Sequence, residues 1–423
     1  MEIRRRRNRF AAVSAVAGAL ACSAGALAAE EGLPGFPGSV LVPGTSSGFR
    51  VYGSARLDII KDIDDGTGSG TTSNPSTIAP DGSAQSNRKG AYDMTARASL
   101  LGVDFRTQTP VGRPLKVVIE ADFYGGGAGT EFATNSSNFR LRHAYGEIGP
   151  FLTGQYWTNA ADLASFPEYV DFATPTGMVN PIRQPQLRYT IEEGPSFFAV
   201  SLENPESDFN GANNAAFIAG NQGISNNIHD KWPDLTARYA YQGSWGRIAV
   251  AGIARYISVN TGGATVNGFN GADGVTGYGL VLSGTLNAFG RDKITWLALG
   301  GDGIGRYIQN SAASGGGAAI INNKLETIKA YGGSLSYQHW WSEKFRSTAY
   351  YGYSVWENPT PLVATGLVHK LEQGYVNLVY VPVPNSRIGI EFVRGSVQFE
   401  SQTPPNGTSG EGNRVNILFQ YGF

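Results

Sequence analysis

The final run of the chain sets the pattern for the rest. Val415, Ile417, Phe419, Tyr421 and Phe423 alternate with Arg414, Asn416, Leu418, Gln420 and Gly422. One face of such a segment is apolar and aromatic and the other is mostly polar. That is the two-residue period of a strand set between lipid and water. The alternation recurs along the chain. Phe49, Val51, Ala55, Leu57 and Ile59 interleave with Arg50, Tyr52, Ser54, Arg56 and Asp58. Leu115, Val117, Ile119, Ala121 and Phe123 interleave with Lys116, Val118, Glu120, Asp122 and Tyr124. Similar runs occupy Leu235–Tyr241, Phe345–Val355 and Arg387–Phe392. Charges at these positions would be costly in a soluble core, whereas against a water-filled lumen they stay hydrated.

Connections between the runs alternate in length. Short ones fall near Pro110–Arg113, Ile148–Pro150, Glu193–Pro195, Gly243–Gly246, Phe289–Asp292, Trp341–Glu343 and Pro382–Ser386. Long Gly/Ser/Asn/Thr-rich ones fall near 61–90, 125–135, 158–184, 204–231, 259–273, 301–324, 357–367 and 400–412. Short periplasmic turns and long outer loops are the habit of outer-membrane barrels. The expected fold is therefore all-β: a transmembrane antiparallel β-barrel of about sixteen strands over residues 48–423, with fourteen and eighteen as the neighbouring even counts. An even count places Phe423 at the periplasmic rim, where assembly machinery reads the end of the chain. No apolar run beyond the N-terminus reaches the roughly 20 residues a membrane helix needs, so a closed sheet is the way to pair every backbone group in lipid.

The first residues read as an export signal. Arg4, Arg5, Arg6, Arg7 and Arg9 form a basic stretch, Phe10 to Ala21 a short apolar one, and Ala26-Leu27-Ala28 a small-x-small cleavage pattern. Residues 1–28 are expected to be removed and 29–47 to form a short flexible segment before the barrel. Ala19-Leu20-Ala21-Cys22 is a loose match to a lipidation signal. Loss of 1–28 takes five arginines and Glu2 from 33 basic and 34 acidic residues, leaving 28 against 33, a net charge of −5, and no cysteine. A thiol-free chain suits an oxidising compartment, and the acidic balance gives no support to nucleic-acid binding.

Catalytic signals are sparse. Only His143, His229, His339 and His369 are present, with no H-E-x-x-H, G-x-S-x-G or phosphate-binding Gly-Lys-Ser/Thr pattern. Gly300–Gly305 reads as a flexible loop, and Asp62, Asp64 and Asp65 as solvated loop carboxylates, because EF-hand spacing fails at Gly66. No cofactor or metal is implied. An outer-membrane lipase would need a Ser–His pair; His143 falls on the lipid face by parity, without a serine to match. A lipase-like barrel and an adhesive barrel are the alternatives to a pore.

The informative residues are basic. Strand parity places Arg56, Arg97, Lys116, Arg140, Arg142, Arg188 and Arg238 on the lumen face. Guanidinium groups around a narrow aqueous lumen focus a positive potential and concentrate anions. The plainer alternative is that they pair with Glu120, Asp122 and other wall acids. The segment 158–184 is long, aromatic and acidic, with Asp162, Glu168 and Asp171 among Phe166, Tyr169 and Phe172. Folding it inward would constrict the lumen and set its acids against the wall arginines, a side-chain means of selection in pores.

Several motifs carry a family resemblance. Leu101-Gly102-Val103-Asp104-Phe105 runs on to Thr109-Pro110, and Ile119-Glu120-Ala121-Asp122-Phe123 follows. Then come Phe139-Arg140-Leu141-Arg142-His143-Ala144-Tyr145-Gly146-Glu147 and Gly154-Gln155-Tyr156-Trp157. Pro167-Glu168-Tyr169-Val170-Asp171-Phe172 and Arg183-Gln184-Pro185-Gln186-Leu187-Arg188-Tyr189-Thr190 complete the set. Over roughly residues 95–191 the chain resembles the DcaP-like outer-membrane porins. The resemblance implies a sixteen-stranded homotrimeric porin for passive uptake of small anions, including dicarboxylates and aromatic acids such as phthalates. It makes Arg140, Arg142, Arg183 and Arg188 candidates for a basic constriction. Some members carry an N-terminal coiled coil; residues 30–47 are too short and Gly/Pro-rich for one. The partners expected are outer-membrane lipid and lipopolysaccharide, the barrel-assembly machinery and small anionic solutes.

Overall fold

The computed structural model describes residues 33–64, 71–110, 112–126, 132, 134–210, 229–266, 269–311, 316–359 and 366–423. The expected signal segment, Cys22 and Asp65 lie outside the described residues.

Sixteen long strands form one closed antiparallel ring. They are β1 (Ser47–Asp62), β2 (Leu100–Thr107), β3 (Leu115–Asp122), β4 (Arg140–Ile148), β5 (Phe151–Trp157), β6 (Arg183–Glu193), β7 (Ser196–Glu203) and β8 (Asp234–Gly243). β9 (Gly246–Val266), β10 (Phe269–Asn287), β11 (Lys293–Asp302), β12 (Lys329–Trp340), β13 (Phe345–Glu357), β14 (Val368–Tyr380), β15 (Ser386–Phe399) and β16 (Ser409–Gly422) complete it. Each pairs with its neighbour in sequence, and β16 returns to β1 from Ser54↔Gly422 to Asp62↔Arg414. No edge is left for another chain to join. No helix among the described residues is long and apolar enough to cross a membrane; the strands are what cross.

The sides follow the sequence parity. Val103, Ile119, Leu187, Leu202, Ile248, Leu335, Val376 and Ile390 stand exposed on the outer face, while Asp104, Asp122, Arg188, Glu203, Thr348 and Asn377 turn inward and are buried. At the closing seam the Gly53 and Phe423 backbones exchange hydrogen bonds of 3.2 and 3.0 Å. Gly53 has to be glycine there, since a Cβ would lie 2.5 Å from the Leu100 carbonyl oxygen and 2.8 Å from the Phe423 ring.

Five expectations need correction. The segment 33–47 is packed rather than flexible: Leu33 and Phe36 are buried, the Arg106 guanidinium lies 4.1 Å above the Phe36 ring, and Val40–Leu41 pair with Phe49 and Gly48 of β1. Those two residues cover part of β1 that β16 is too short to reach. Residues 259–266 and 269–273 belong to strands rather than to an open loop: β9 and β10 stay paired there, with a register shift between Asn260 and Thr265. Gly300 and Gly301 belong to β11, and Gly301 leaves room for the Ile304 side chain. Asp62 is no solvated loop acid; it is buried on β1 and accepts from Arg414 Nε at 2.6 Å. His143 does not face lipid. A bulge pairs Glu120 with His143 and Ala121 with Leu141, so Arg142 is the extra residue. The insertion flips the parity that follows, leaving His143 and Tyr145 buried while Leu141 stays exposed.

Candidate functional site

The connection from β5 to β6, residues 158–182, positions everything else. From Val170 to Thr176 its contacts lie on strands about half the ring away. Val170 N and Asp171 N donate to Glu391 of β15 at 2.9 and 3.2 Å. Thr176 N donates to Gln373 of β14 at 2.9 Å, and Tyr350 of β13 donates to the Thr176 carbonyl at 2.6 Å. Small residues make room for this docking. A Cβ at Gly352 would stand 2.3 Å from the Thr176 carbonyl oxygen, and one at Gly389 would stand 2.7 Å from Val170. Gly177 itself has φ +89°, a left-handed conformation glycine adopts freely. Ala160, Ala161, Met178 and Val179 complete the contact by burying against apolar wall residues such as Leu297, Ala330 and Tyr375.

The acids of this segment do meet arginines: Arg238 is one of the expected wall set, while Arg247, Arg346 and Arg387 were not expected. Asp162 accepts two hydrogen bonds from Arg247 of β9, at 2.7 and 2.8 Å, and lies 3.4 Å from Arg238 of β8. Burial raises the Asp162 carboxyl, but the Arg247 hydrogen bonds and the Arg238 charge outweigh it, holding the group below the usual carboxylate range. Glu168 takes a two-pronged contact from Arg346 of β13, at 2.5 and 2.6 Å, with Arg387 of β15 at 3.7 Å. Asp171 accepts from Ser73 N and Asn416 and has no arginine within ion-pair distance among the described residues. Sequence reasoning missed Arg247, Arg346 and Arg387 as site residues, although Arg346 and Arg387 sit at the polar positions of runs it recognised.

The six candidate arginines separate. Arg56, Arg140, Arg142 and Arg183 line a cavity of about 550 Å³ with Trp157, Glu168, Phe172 and Arg387. Arg56 pairs with Asp58 at 2.6 Å. Arg140 reaches Asp122 at 2.6 Å, and Arg142 bridges Glu120 and Asp122 at 2.6 and 2.8 Å. Arg183 stacks 3.8 Å above the Trp157 ring and has no carboxylate within ion-pair distance among the described residues. Arg97 is not on a barrel strand: it occupies a turn between the short strand Tyr92–Thr95 and β2, where that edge breaks. From the turn it still reaches the Tyr124 ring at 5.0 Å, the ring that Arg140 covers at 5.2 Å and that stacks on Phe172. Arg188 lies apart, lining a second cavity with Arg238. The residues that pair Arg140 and Arg142, Glu120 and Asp122, are those the plainer sequence reading named.

A family model for the DcaP outer membrane protein matches residues 42–423. The chain belongs to the DcaP outer membrane protein family. It is an outer-membrane channel of the porin kind, and its relatives are channels rather than enzymes. Among solved structures, the DcaP outer-membrane channel of Acinetobacter baumannii is similar at 23% identity and a TM-score of 0.72, over 89% of this chain and 98% of that one. OmpT of Vibrio cholerae in its trimer form is similar at 13% identity and 0.55, over 89% and 100%. Salmonella typhi OmpF, solved with daunomycin, is similar at 10% identity and 0.54, over 91% and 100%. No curated protein matches by sequence. At these identities the solved structures speak for the fold, which is the sixteen-stranded barrel described above.

Proposed function

We propose that this DcaP-family channel gives passive diffusion to small anionic organic solutes, dicarboxylates and aromatic acids among them, past an inward-folded constriction formed by 158–182. The supporting observation is the layering of charge. The Arg140 side chain is 37% exposed, while the Asp122 that holds it is fully buried. A solute beside the wall meets guanidinium first and carboxylate behind it, and Arg183 adds a charge with no acid within ion-pair distance among the described residues. Arg56, Arg140, Arg142 and Arg183 form the basic half of the constriction, with Arg97 at its margin; Asp162, Glu168 and Asp171 tie the segment to the wall. No covalent chemistry or energy coupling is needed, and affinity must stay weak enough for release.

By analogy with the trimeric OmpT form, the channel assembles as a homotrimer in lipopolysaccharide-bearing membrane, after cleavage behind Ala28 and recognition of the Phe423 strand by the assembly machinery. The test is a planar-bilayer reversal potential across a salt gradient, followed by addition of succinate. Anion selectivity with succinate-dependent current block is the expected result; cation selectivity would overturn the basic-constriction account while leaving the barrel intact.

A further inference from the structure

The Arg188 cavity holds about 680 Å³ and opens beside the short Gly149-Pro150 turn, toward the periplasmic end of the barrel. Its volume falls in the range of small-molecule sites, which combine apolar walls with a few placed polar groups. Arg188 and Arg238 project from the inner faces of β6 and β8 and are only 6% and 9% exposed. Register ties them together: Arg188 sits opposite Ser201 of β7, Ser201 opposite Thr236 of β8, and Arg238 is one inner-facing position along. The Arg188 guanidinium lies 5.5 Å from the Tyr156 ring centre and that of Arg238 4.7 Å from the Phe197 ring. Each cation therefore has an aromatic neighbour on the same wall.

The polar contacts are incomplete in one direction. Arg188 donates to the Trp157 carbonyl and Arg238 to the Ala161 carbonyl. Arg188 has no carboxylate within ion-pair distance among the described residues, and the Asp162 near Arg238 is already held by both Arg247 donors. The Nε–H of Arg188 and that of Arg238 are buried without an acceptor among the described residues. A buried, unmatched donor on a charged group is costly and uncommon in native proteins, and an incoming anionic oxygen would satisfy it. Besides Arg188 and Arg238, the charged residues lining the cavity are Arg113, Glu147 and Glu192. Glu147 is engaged by Lys116 at 3.0 Å, but Glu192 has no recorded cation partner among the described residues. Arg113 and Glu192 are of opposite sign and Arg238 already has Asp162 nearby, so the charge left over is that of Arg188, which suits one negative charge more than two.

We infer that the Arg188–Arg238 cavity is a second, periplasmic-side station that binds an aromatic monocarboxylate, the carboxylate on the two guanidinium groups and the ring between Tyr156 and Phe197. The station deepens the anion-channel reading and rests on it. It would receive solute leaving the Arg183 cavity, with Trp157 linking the two arginines: its ring stacks on Arg183 and its carbonyl accepts from Arg188.

The test is calorimetric titration of the purified full-chain protein with benzoate, alongside reversal potentials in KCl. Two benzoates per chain are expected for the native protein and one for Arg188→Gln. Phe197→Leu, which leaves both charges in place, should weaken the lost site by about tenfold, as expected for removing its aromatic wall. Arg188→Lys keeps the charge but not the Nε–H and should recover only part of the binding. One benzoate per chain in both native protein and Arg188→Gln would overturn the proposal, as would a Phe197→Leu titration identical to native. Selectivity separates the two readings: an anion-selective pore that binds one benzoate keeps the channel reading and removes this station. A cation-selective pore removes the anion-channel reading and, with it, the station's place on a solute path.

Discussion

Replacing Arg183 by glutamine removes a lumen charge that has no carboxylate within ion-pair distance among the described residues. The other cavity arginines make poor tests. Arg142→Ala would leave Glu120 and the fully buried Asp122 short of a partner, and losses of that kind cost about 3–5 kcal/mol. Arg183 sits on Trp157 with its Nε unpaired, so its loss strands no acid. A monovalent anion about 4 Å from it in a water-filled lumen gains on the order of 1 kcal/mol, and salt screening keeps the figure from rising much. That energy is worth about fivefold in local anion concentration, since about 1.4 kcal/mol is tenfold. The assay is the reversal potential across a KCl gradient for native protein, Arg183→Gln and Arg183→Lys. The glutamine variant should lower the anion-to-cation permeability ratio by about fivefold, and the lysine variant should stay near native. An unchanged ratio in a folded Arg183→Gln barrel would refute the charge argument for this cavity.

Other outcomes follow from the same geometry. Asp122→Ala should lower barrel stability by about 3 kcal/mol or more, because Arg140 and Arg142 both lose a buried partner; the temperature at which the folded band disappears on a gel reads it. Gly352→Val should push the Thr176 carbonyl off the wall and raise open-channel noise and mean conductance in single-channel records. Deleting 166–178 should raise conductance further, and an unaltered conductance would show that the segment does not fill the lumen. Asp162 has a pKa below its unfolded value, so the folded state holds fewer protons there. The stability it adds is complete above about pH 4 and is lost as pH falls through the folded value. The rise in open-channel noise on acidification should therefore be smaller in Asp162→Asn than in native protein.

The fold was legible because lipid imposes a strict alternation. Each short turn read from the sequence falls between the strands it was expected to join, from Gly149-Pro150 to Ser244-Trp245. Parity failed where the chain breaks its own period. At the β4 bulge one additional residue, Arg142, inverted the assignment of His143, and a local pattern holds no sign of an insertion that only the partner strand reveals. Arg97 misled for a similar reason, since the interruption before β2 interposes a turn in an otherwise alternating run. At the site, residue types were readable and partners were not. Arg346 and Arg387 meet Glu168 across sequence separations far longer than any periodicity spans, and the glycines that receive the 158–182 segment look in sequence like ordinary strand glycines. Arg188 was grouped with Arg140 and Arg142 because all point inward; height along the barrel axis, which separates them, is not encoded in alternation.

The seam between β1 and β16 makes closure a late event. Every other pair in the ring joins neighbours in sequence, so its contacts can form locally as the chain lengthens. The seam alone is long-range: Asp62 and Arg414 stand 352 residues apart. Such pairings carry the largest loop-closure entropy and form slowly. Until Phe423 reaches Gly53, the curled sheet exposes two unpaired edges, each able to recruit a neighbouring chain. A chain cut a few residues early would lose a disproportionate share of its ability to assemble, because those residues form the latch of the cylinder.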